Sequence, residues 1–318
     1  MVLAEPAAPR WPDVPAGRRH YESYYLRAVD PTGSRAVWIR YTVSRAPGGP
    51  PDAQLWFTFF DRSGAAPRAV RVDAGTATTG RNAWIGVGDS SFGPDGIEGR
   101  ADAVSWSLRC RDGELPLEHL PRDWMYRARL PRTKLLSLSP STLFDGALEV
   151  DGETVSVDGW CGMVGHNWGE QHAAQWIWLH GLAFDGAAPS TWIDLAVGRV
   201  RLGPVVTPWI ANGAVSLGGE RLRLGGPGRR VSVDAARDGC VLRIPGPGVT
   251  VSACVSAPAD AFVEWDYADP GAADGPGHRV LNCSVADLAL TVARGRTPLE
   301  LRTSGGAAYE WGREAARS

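Results

Sequence analysis

The spacing of glycine and proline constrains the fold of this chain more than any other feature of its sequence. The 39 glycines and 24 prolines among 318 residues fall at short intervals between runs in which apolar and polar residues alternate. Side chains along a strand point alternately to its two faces, so such runs between turn residues predict many short strands. The clearest runs are 35–43, 55–60, 103–110 and 249–255. The pattern predicts an all-β protein.

One hairpin can be placed from the sequence with particular clarity. Asp151 and Gly152 separate the runs ALEV (147–150) and TVSV (154–157). A two-residue Asp-Gly turn between strands supplies the positive φ angles that tight hairpin turns need. We therefore expect an antiparallel hairpin that turns at these two residues.

The domain organisation is predicted from a lapse in the alternation between Leu115 and Phe144, where four prolines stand in a segment without paired strands. This lapse marks the expected junction between two β units. The predicted organisation is an N-terminal extension at 1–19, a first β domain at 20–130, a linker at 131–145 and a second β domain at 146–318.

Composition and charge exclude several classes of function. The 33 basic and 35 acidic residues give a net charge of -2, which lacks the basic excess expected of a nucleic-acid-binding protein. No stretch approaches the ~18 apolar residues of a membrane span, and the N-terminus lacks the basic start and apolar run of a secretion signal. We therefore expect a cytoplasmic protein with no nucleic-acid partner and no membrane span. The sequence does not predict its oligomeric state.

The five cysteines are scattered without any CxxC spacing, so neither a disulfide framework nor a thiolate zinc site is indicated. The central segment 159–184, GWCGMVGHNWGEQHAAQWIWLHGLAF, contains three histidines. His166 and His172 do not have the i, i+4 spacing that places two imidazoles on one helical face, and the neighbouring glycines disfavour a helix. The sequence therefore predicts no metal site. For His172 and His180 a structural hydrogen-bonding role is favoured.

Two runs near this segment predict strands that carry aromatic residues on one face. Strand alternation places Trp176, Trp178 and His180 together. In the next run, Trp192 and Asp194 share a face, away from the aliphatic residues between and after them. Core packing is the ordinary explanation of such tryptophans. A carboxylate on an apolar strand, however, is costly unless it is solvated, paired or used in chemistry.

The sequence resembles the carotenoid 1,2-hydratases (hydroxyneurosporene synthases) and their AttH-like relatives, which include lipocalin-like cyclases. The resemblance rests on short motifs at both ends and in the centre of the chain. They are HYESYYLRA (20–28), AVWIRY (36–41), the segment 131–146, GHNWG (165–169) and AYEWG (308–312). It implies two tandem lipocalin-like antiparallel β domains, a lipophilic ligand, and no metal or organic cofactor.

The resemblance also implies a site. In the hydratases a His-x-Trp pair and, further along the chain, a Tyr-x-Asp pair line the place where an alkene is protonated. His166 and Trp168 match the first pair and Asp194 matches the acid, but Trp192 stands where the family has tyrosine. Trp192 has no hydroxyl, so the chain departs from the family pattern at a residue that bears on the addition of water.

These observations predict a catalytic set of Asp194, His166 and Trp168. Burial among indoles is expected to raise the pKa of Asp194 and keep it protonated as the acid. Tryptophan faces would stabilise a carbocation without attacking it. The predicted substrate-binding residues are Trp192, Trp176, Trp178, Glu170 and His180.

The predicted function is that of a cofactor-free enzyme that protonates a C=C bond of a terpenoid or polyketide-like lipophile, followed by hydration or cyclisation. Two alternatives remain open. In a pericyclic cyclase, His166 and Glu170 would supply hydrogen bonds and Asp194 no proton. In a carrier, a hydrophobic ligand would be bound without chemistry.

Overall fold

A computed structural model describes residues 5–270 and 277–315, and over these residues the chain is almost entirely β-structure. Its helical content in this part consists of three short 3-10 turns, at Trp11–Asp13, Asp123–Tyr126 and Ala259–Ala261. The predicted all-β class is confirmed. The strands form a nearly closed barrel and a second, half-barrel sheet.

The first sheet is built from the first twelve strands. They are β1 (His20–Val29), β2 (Arg35–Arg45), β3 (Pro51–Asp61), β4 (Arg68–Gly75), β5 (Ala77–Gly80), β6 (Ala83–Val87), β7 (Ser90–Gly93), β8 (Gly96–Ala101), β9 (Val104–Arg111), β10 (Leu117–Glu118), β11 (Thr133–Val150) and β12 (Glu153–Gly169). Their order is β4-β3-β2-β1-β12-β11-β9-β8-β7-β6-β5, with β10 paired to β11.

The remaining strands form the second sheet and a small separate hairpin. They are β13 (Gln175–Gly181), β14 (Trp192–Arg199), β15 (Arg201–Leu202), β16 (Val205–Val206), β17 (Ile210–Leu217), β18 (Glu220–Gly225), β19 (Ser232–Ala236), β20 (Gly239–Gly246), β21 (Val249–Ser256), β22 (Val263–Tyr267), β23 (His278–Ala293) and β24 (Leu299–Glu314). The order is β18-β17-β14-β13-β24-β23-β21-β20-β19, with β22 on β23 and β15 paired to β16.

The predicted Asp-Gly hairpin is confirmed between β11 and β12. Asp151 and Gly152 form its turn with φ angles of 51° and 88°. Gly152 adopts such an angle without steric cost, and aspartate tolerates it better than most residues do. Two long strands therefore meet at a turn that the local sequence specifies.

The long hairpin places the segment predicted as a linker inside the first sheet. Residues 133–145 belong to β11, and β12 continues to Gly169 while it pairs with β1. The change from the first sheet to the second falls between Gly169 and Gln175. The prolines between 115 and 144 interrupt the alternation, yet long-range pairing holds much of this stretch in the sheet. The predicted linker at 131–145 overlaps β11, and the division of the chain into domains stays a prediction from the sequence.

Strand β1 is buried along its whole length because both of its faces are covered. Tyr24 and Leu26 point into the core enclosed by the first sheet. Tyr25 and Val29 point the other way and pack with residues of the second sheet. The first sheet thus supplies one wall of the contact between the two sheets. In the part of the chain that the structure describes, no helix has the length and apolarity needed to cross a membrane.

Candidate functional site

A cavity of about 260 Å³ lies between the two sheets. The first sheet contributes Tyr25 and Trp38 to its wall, and the second contributes Trp176 and Trp178. Aromatic rings therefore face each other across the space, as in pockets that bind apolar small molecules. The alternation along β13 predicted that Trp176 and Trp178 share a face, and both line this cavity.

Polar groups lie within this aromatic wall. The guanidinium of Arg40 lies over the ring of Tyr267, 4.4 Å from its centroid. Glu310 accepts a hydrogen bond of 2.8 Å from Nε1 of Trp176 and one of 3.2 Å from the side-chain amide of Asn282. Arg40 and Glu310 both line the cavity. The space thus offers a ligand a largely apolar surface with a few fixed polar groups.

Asp194 lies behind one wall of the cavity and is fully buried. It accepts hydrogen bonds from Ser137 Oγ at 2.5 Å and from Trp178 Nε1 at 3.1 Å. Its Oδ2 also lies 3.5 Å from Nε2 of His119. Asp194 sits on β14, Trp178 on β13 and Ser137 on β11, so the cluster joins the two sheets.

The protonation of Asp194 differs from the prediction. Burial favours a raised pKa, but the nearby charge of His119, with smaller contributions from His180 and from the hydrogen bond of Ser137, outweighs it and lowers the pKa of Asp194 to about 2. The expectation of a raised pKa is therefore wrong. The expectation rests on burial alone, whereas the partners that stabilise the charged form come from strands distant in the sequence.

His119 stands between Asp194 and the cavity. Its Nε2 is 3.0 Å from Ser137 Oγ, and its Nδ1 is 3.3 Å from the backbone oxygen of Asn212. That carbonyl can only accept, and Ser137 uses its own proton on Asp194, so both ring nitrogens are placed to donate. The pattern suits an imidazolium paired with a carboxylate through a hydroxyl. His119 is also part of the cavity wall.

Sequence reasoning missed His119. It follows the two-residue strand β10, in the proline-interrupted stretch that was interpreted as a junction. A single histidine between Glu118 and Leu120 carries no signal of its own there. Only the pairing of β10 with β11 brings it to Ser137 and Asp194.

His166 takes part in a second buried cluster, away from the cavity wall. Its Nε2 lies 2.7 Å from Glu22, and its Nδ1 lies 3.0 Å from the backbone oxygen of Pro6. Glu22 is fully buried, and its hydrogen bonds to His166 and His20 outweigh burial and lower its pKa to about 2. Glu22 also accepts from the backbone N–H groups of Arg10 and Trp11 and from the hydroxyl of Tyr24. This cluster ties the N-terminal segment to the first sheet.

The other predicted residues are divided between the cavity and its surroundings. Among the described residues, the cavity wall does not include Trp168, Trp192, Glu170 or His180. Trp168 packs with Tyr126 near His166, and Trp192 packs with Leu117 and Leu182. Glu170 pairs with Arg18.

His180 is fully buried beside the Asp194 cluster. Its Nε2 donates to the backbone oxygen of Pro140 at 2.9 Å, and its Nδ1 lies 3.5 Å from the Arg27 guanidinium. Burial lowers the pKa of His180 to about 4, with a contribution from the charge of Arg27. The ring is neutral near pH 7 and serves a structural role.

Two curated proteins are similar in sequence to part of this chain. No protein-family model matches the chain. It is 32% identical over 182 residues to the "uncharacterized protein MT0513" of Mycobacterium tuberculosis CDC 1551 and, equally, to the "uncharacterized protein Rv0493c" of strain H37Rv. The match covers 57% of this chain and 54% of each relative, so the chain spans about half the length of the curated relatives it matches.

A solved structure resembles the whole chain. It is described as that of "a putative AttH (NE1406)" from Nitrosomonas europaea, with a TM-score of 0.60 and 13% identity over 98% of this chain and 96% of that one. At this identity the likeness concerns the fold alone. The likeness supports the predicted antiparallel β-barrel fold.

Proposed function

We propose that this protein is an enzyme that binds a lipophilic small molecule in the cavity between the sheets and transfers a proton to it through His119. The single observation that carries the proposal is the chain of contacts from Asp194 through Ser137 to His119, a cavity-lining residue. A buried carboxylate that orients an imidazole and stabilises its protonated form is a recurring arrangement in acid-base catalysis.

The proton in this proposal starts on Nδ1 of His119. Its contact with the Asn212 carbonyl is 3.3 Å, longer than a good hydrogen bond, so a bound ligand can compete for this proton. After transfer, the neutral ring keeps its Nε2 proton directed at Ser137 and Asp194. Asp194 is then a positioning residue, and His119 is the acid.

The substrate class follows from the wall of the cavity. Trp38, Trp176 and Trp178 offer apolar area and electron-rich faces, which favour a ligand that develops positive charge on carbon. Together with the resemblance to the carotenoid 1,2-hydratases, this supports protonation of a C=C bond in a terpenoid or polyketide-like molecule, followed by hydration or cyclisation. The cytoplasmic location remains a prediction from the sequence.

The decisive experiment uses lipophiles that copurify with the protein. They are identified by mass spectrometry, returned to the purified protein in deuterated water, and the products are followed. We expect deuterium on a product carbon beyond that incorporated without protein. His119→Gln is expected to lower turnover by at least ~100-fold while the ligand stays bound.

His166→Gln is the matched control, because it makes the same chemical change in the cluster away from the cavity. Per folded molecule it should keep turnover close to that of the wild type. Equal turnover in wild type and His119→Gln, without deuterium in the product, would instead support the pericyclic cyclase. A ligand that is always recovered unchanged would support the carrier.

A further inference from the structure

A second group of titratable side chains reaches the cavity wall through one of its members, His172. His172, Asp269 and His278 each offer one ligand atom, and these atoms all lie within 4.8 Å of one another. His172 lies between β12 and β13, Asp269 follows β22, and His278 begins β23. Three separate elements therefore converge on one point.

Hydrogen bonds within the described residues satisfy only some of the polar atoms of this cluster. Oδ1 of Asp269 lies 2.7 Å from Nδ1 of His172 and accepts the backbone N–H of the same residue at 2.8 Å. Nε2 of His172 and both ring nitrogens of His278 are buried without a hydrogen-bond partner among the described residues. The backbone of Ala173 is near His278 but outside hydrogen-bonding geometry.

His278 is the most informative of the three. It is only 2% exposed, so bulk solvent does not reach its two ring nitrogens. A buried polar atom without a partner costs about 1–3 kcal/mol, and a bound ion is one of the arrangements that would satisfy it. Aromatic rings surround the pair of histidines: Trp176 lies 5.3 Å from His278, and Tyr21 stacks on His172 at 4.3 Å.

We propose that His172, Asp269 and His278 form a binding site for a divalent transition metal ion, Zn²⁺ or Fe²⁺. Two imidazoles and one carboxylate are the ligand set that these ions use when they keep positions open for water or substrate. Because His172 lines the cavity, the ion lies at the cavity wall and can contact an oxygen atom of the ligand. The site was missed from the sequence because His172 lies 97 positions along the chain from Asp269.

The proposal is independent of the role proposed for His119 and is tested by binding alone. The full-length protein is treated with a chelator, dialysed, and titrated with Zn²⁺ in competition with a chromogenic chelator. Fe²⁺ is titrated in parallel without oxygen. We expect one ion per chain with micromolar or tighter affinity, and a melting temperature that rises with Zn²⁺.

Variants connect binding to these side chains. His278→Gln and Asp269→Asn should each weaken Zn²⁺ binding by at least about 100-fold, because loss even of groups that only support a ligand can cost that much. His119→Gln, another cavity-wall histidine, should bind Zn²⁺ as the wild type does. If His278→Gln does not fold, Asp269→Asn and the melting shift decide the question.

Two results would overturn the proposal. One is a wild-type protein that takes up no stoichiometric Zn²⁺ or Fe²⁺, which would leave His278 as a neutral ring packed among aromatic residues. The other is equal binding by the wild type and both cluster variants. Neither result bears on proton transfer by His119, which is measured separately by turnover.

Discussion

Two fully buried carboxylates among the described residues, Glu22 and Asp194, have similar electrostatics and different surroundings. Each is fully buried, and histidine neighbours hold the pKa of each at about 2. Glu22 is enclosed by backbone N–H groups, a tyrosine hydroxyl and two histidines. Asp194 has the side chains of Ser137, Trp178 and His119 as partners, and His119 reaches the cavity. The two clusters therefore share a lowered pKa, and access to the cavity is what distinguishes them.

The largest expected effect is on the free energy of unfolding, and it distinguishes Glu22 from Asp194. Glu22→Gln removes the buried charge and turns an oxygen that accepts from backbone N–H groups into an amide N–H₂ that cannot accept. We therefore expect a loss of about 3–5 kcal/mol in the free energy of unfolding, as for a broken buried ion pair. Asp194→Asn should cost only about 1–2 kcal/mol. There the amide can donate to Ser137, whose hydroxyl can then donate to a neutral His119. Urea denaturation followed by circular dichroism measures both.

A second measurement tests the structural role given to Glu22. Because its cluster holds the N-terminal segment, Glu22→Gln should speed tryptic cleavage after Arg10 and Arg18, whereas Asp194→Asn should not. A greater loss of stability in Asp194→Asn than in Glu22→Gln would contradict the comparison. It would mean that the Asp194 cluster, too, mainly stabilises the fold.

The next effect concerns His180, which lies beside Asp194 and is buried in its neutral form. Its pKa is lowered from 6.5 to about 4 in the folded protein. Between these values the unfolded chain binds a proton that the folded chain does not, so stability falls as the pH falls through this window. The contribution is about 3 kcal/mol, from 1.36 kcal/mol per pKa unit.

His180→Gln is expected to flatten this dependence by about 3 kcal/mol between pH 6.5 and 4, measured by urea denaturation across that range. The contributions of Glu22 and Asp194 are lost mainly at lower pH, because their pKa values change from 4.5 and 3.8 to about 2. The pH range therefore separates the contribution of His180 from those of Glu22 and Asp194. An unchanged pH dependence in the variant would show that His180 can accept a proton in the folded state.

The smallest expected effect is on ligand binding, and it compares one tryptophan from each cluster. Trp178 lines the cavity and donates to Asp194, whereas Trp168 packs with Tyr126 away from it. With β-ionone, a conjugated terpenoid ketone, as the probe, Trp178→Phe should weaken binding about tenfold, equivalent to about 1.4 kcal/mol. Trp168→Phe should leave the dissociation constant nearly unchanged. Fluorescence quenching of the remaining tryptophans gives both constants, and an equal loss in the two variants would place the ligand elsewhere.

Much of the strand content could be predicted from local alternation. The run predicted at 35–43 lies in Arg35–Arg45, and that at 249–255 lies in Val249–Ser256. The same period of two placed Trp176 and Trp178 on one face of β13. These features depend on neighbouring residues alone, since a strand directs its side chains regardless of the partner strand.

The candidate site could be predicted only in part, because its contacts depend on pairing between distant strands. The GHNWG motif drew attention to His166, but the fold pairs that residue with Glu22, 144 positions away, beneath the N-terminal segment. Asp194 is buried on an apolar strand as expected, but its pKa is lowered, not raised. His119, Asp269 and His278 carried no local signal, since single histidines and aspartates occur throughout polar turns.

The sequence alone determined that this chain forms β-structure, where its tightest hairpin turns, and which tryptophans of β13 share a face. Each of these follows from turn residues and from alternation over a few positions. Only the tertiary structure decided that β11 and β12 belong to the first sheet and that Ser137 meets Asp194 across 57 positions. It also decided which buried carboxylate lies next to a cavity. The charge state and accessibility of a buried group depend on the groups that surround it, and strand register between distant segments selects those groups.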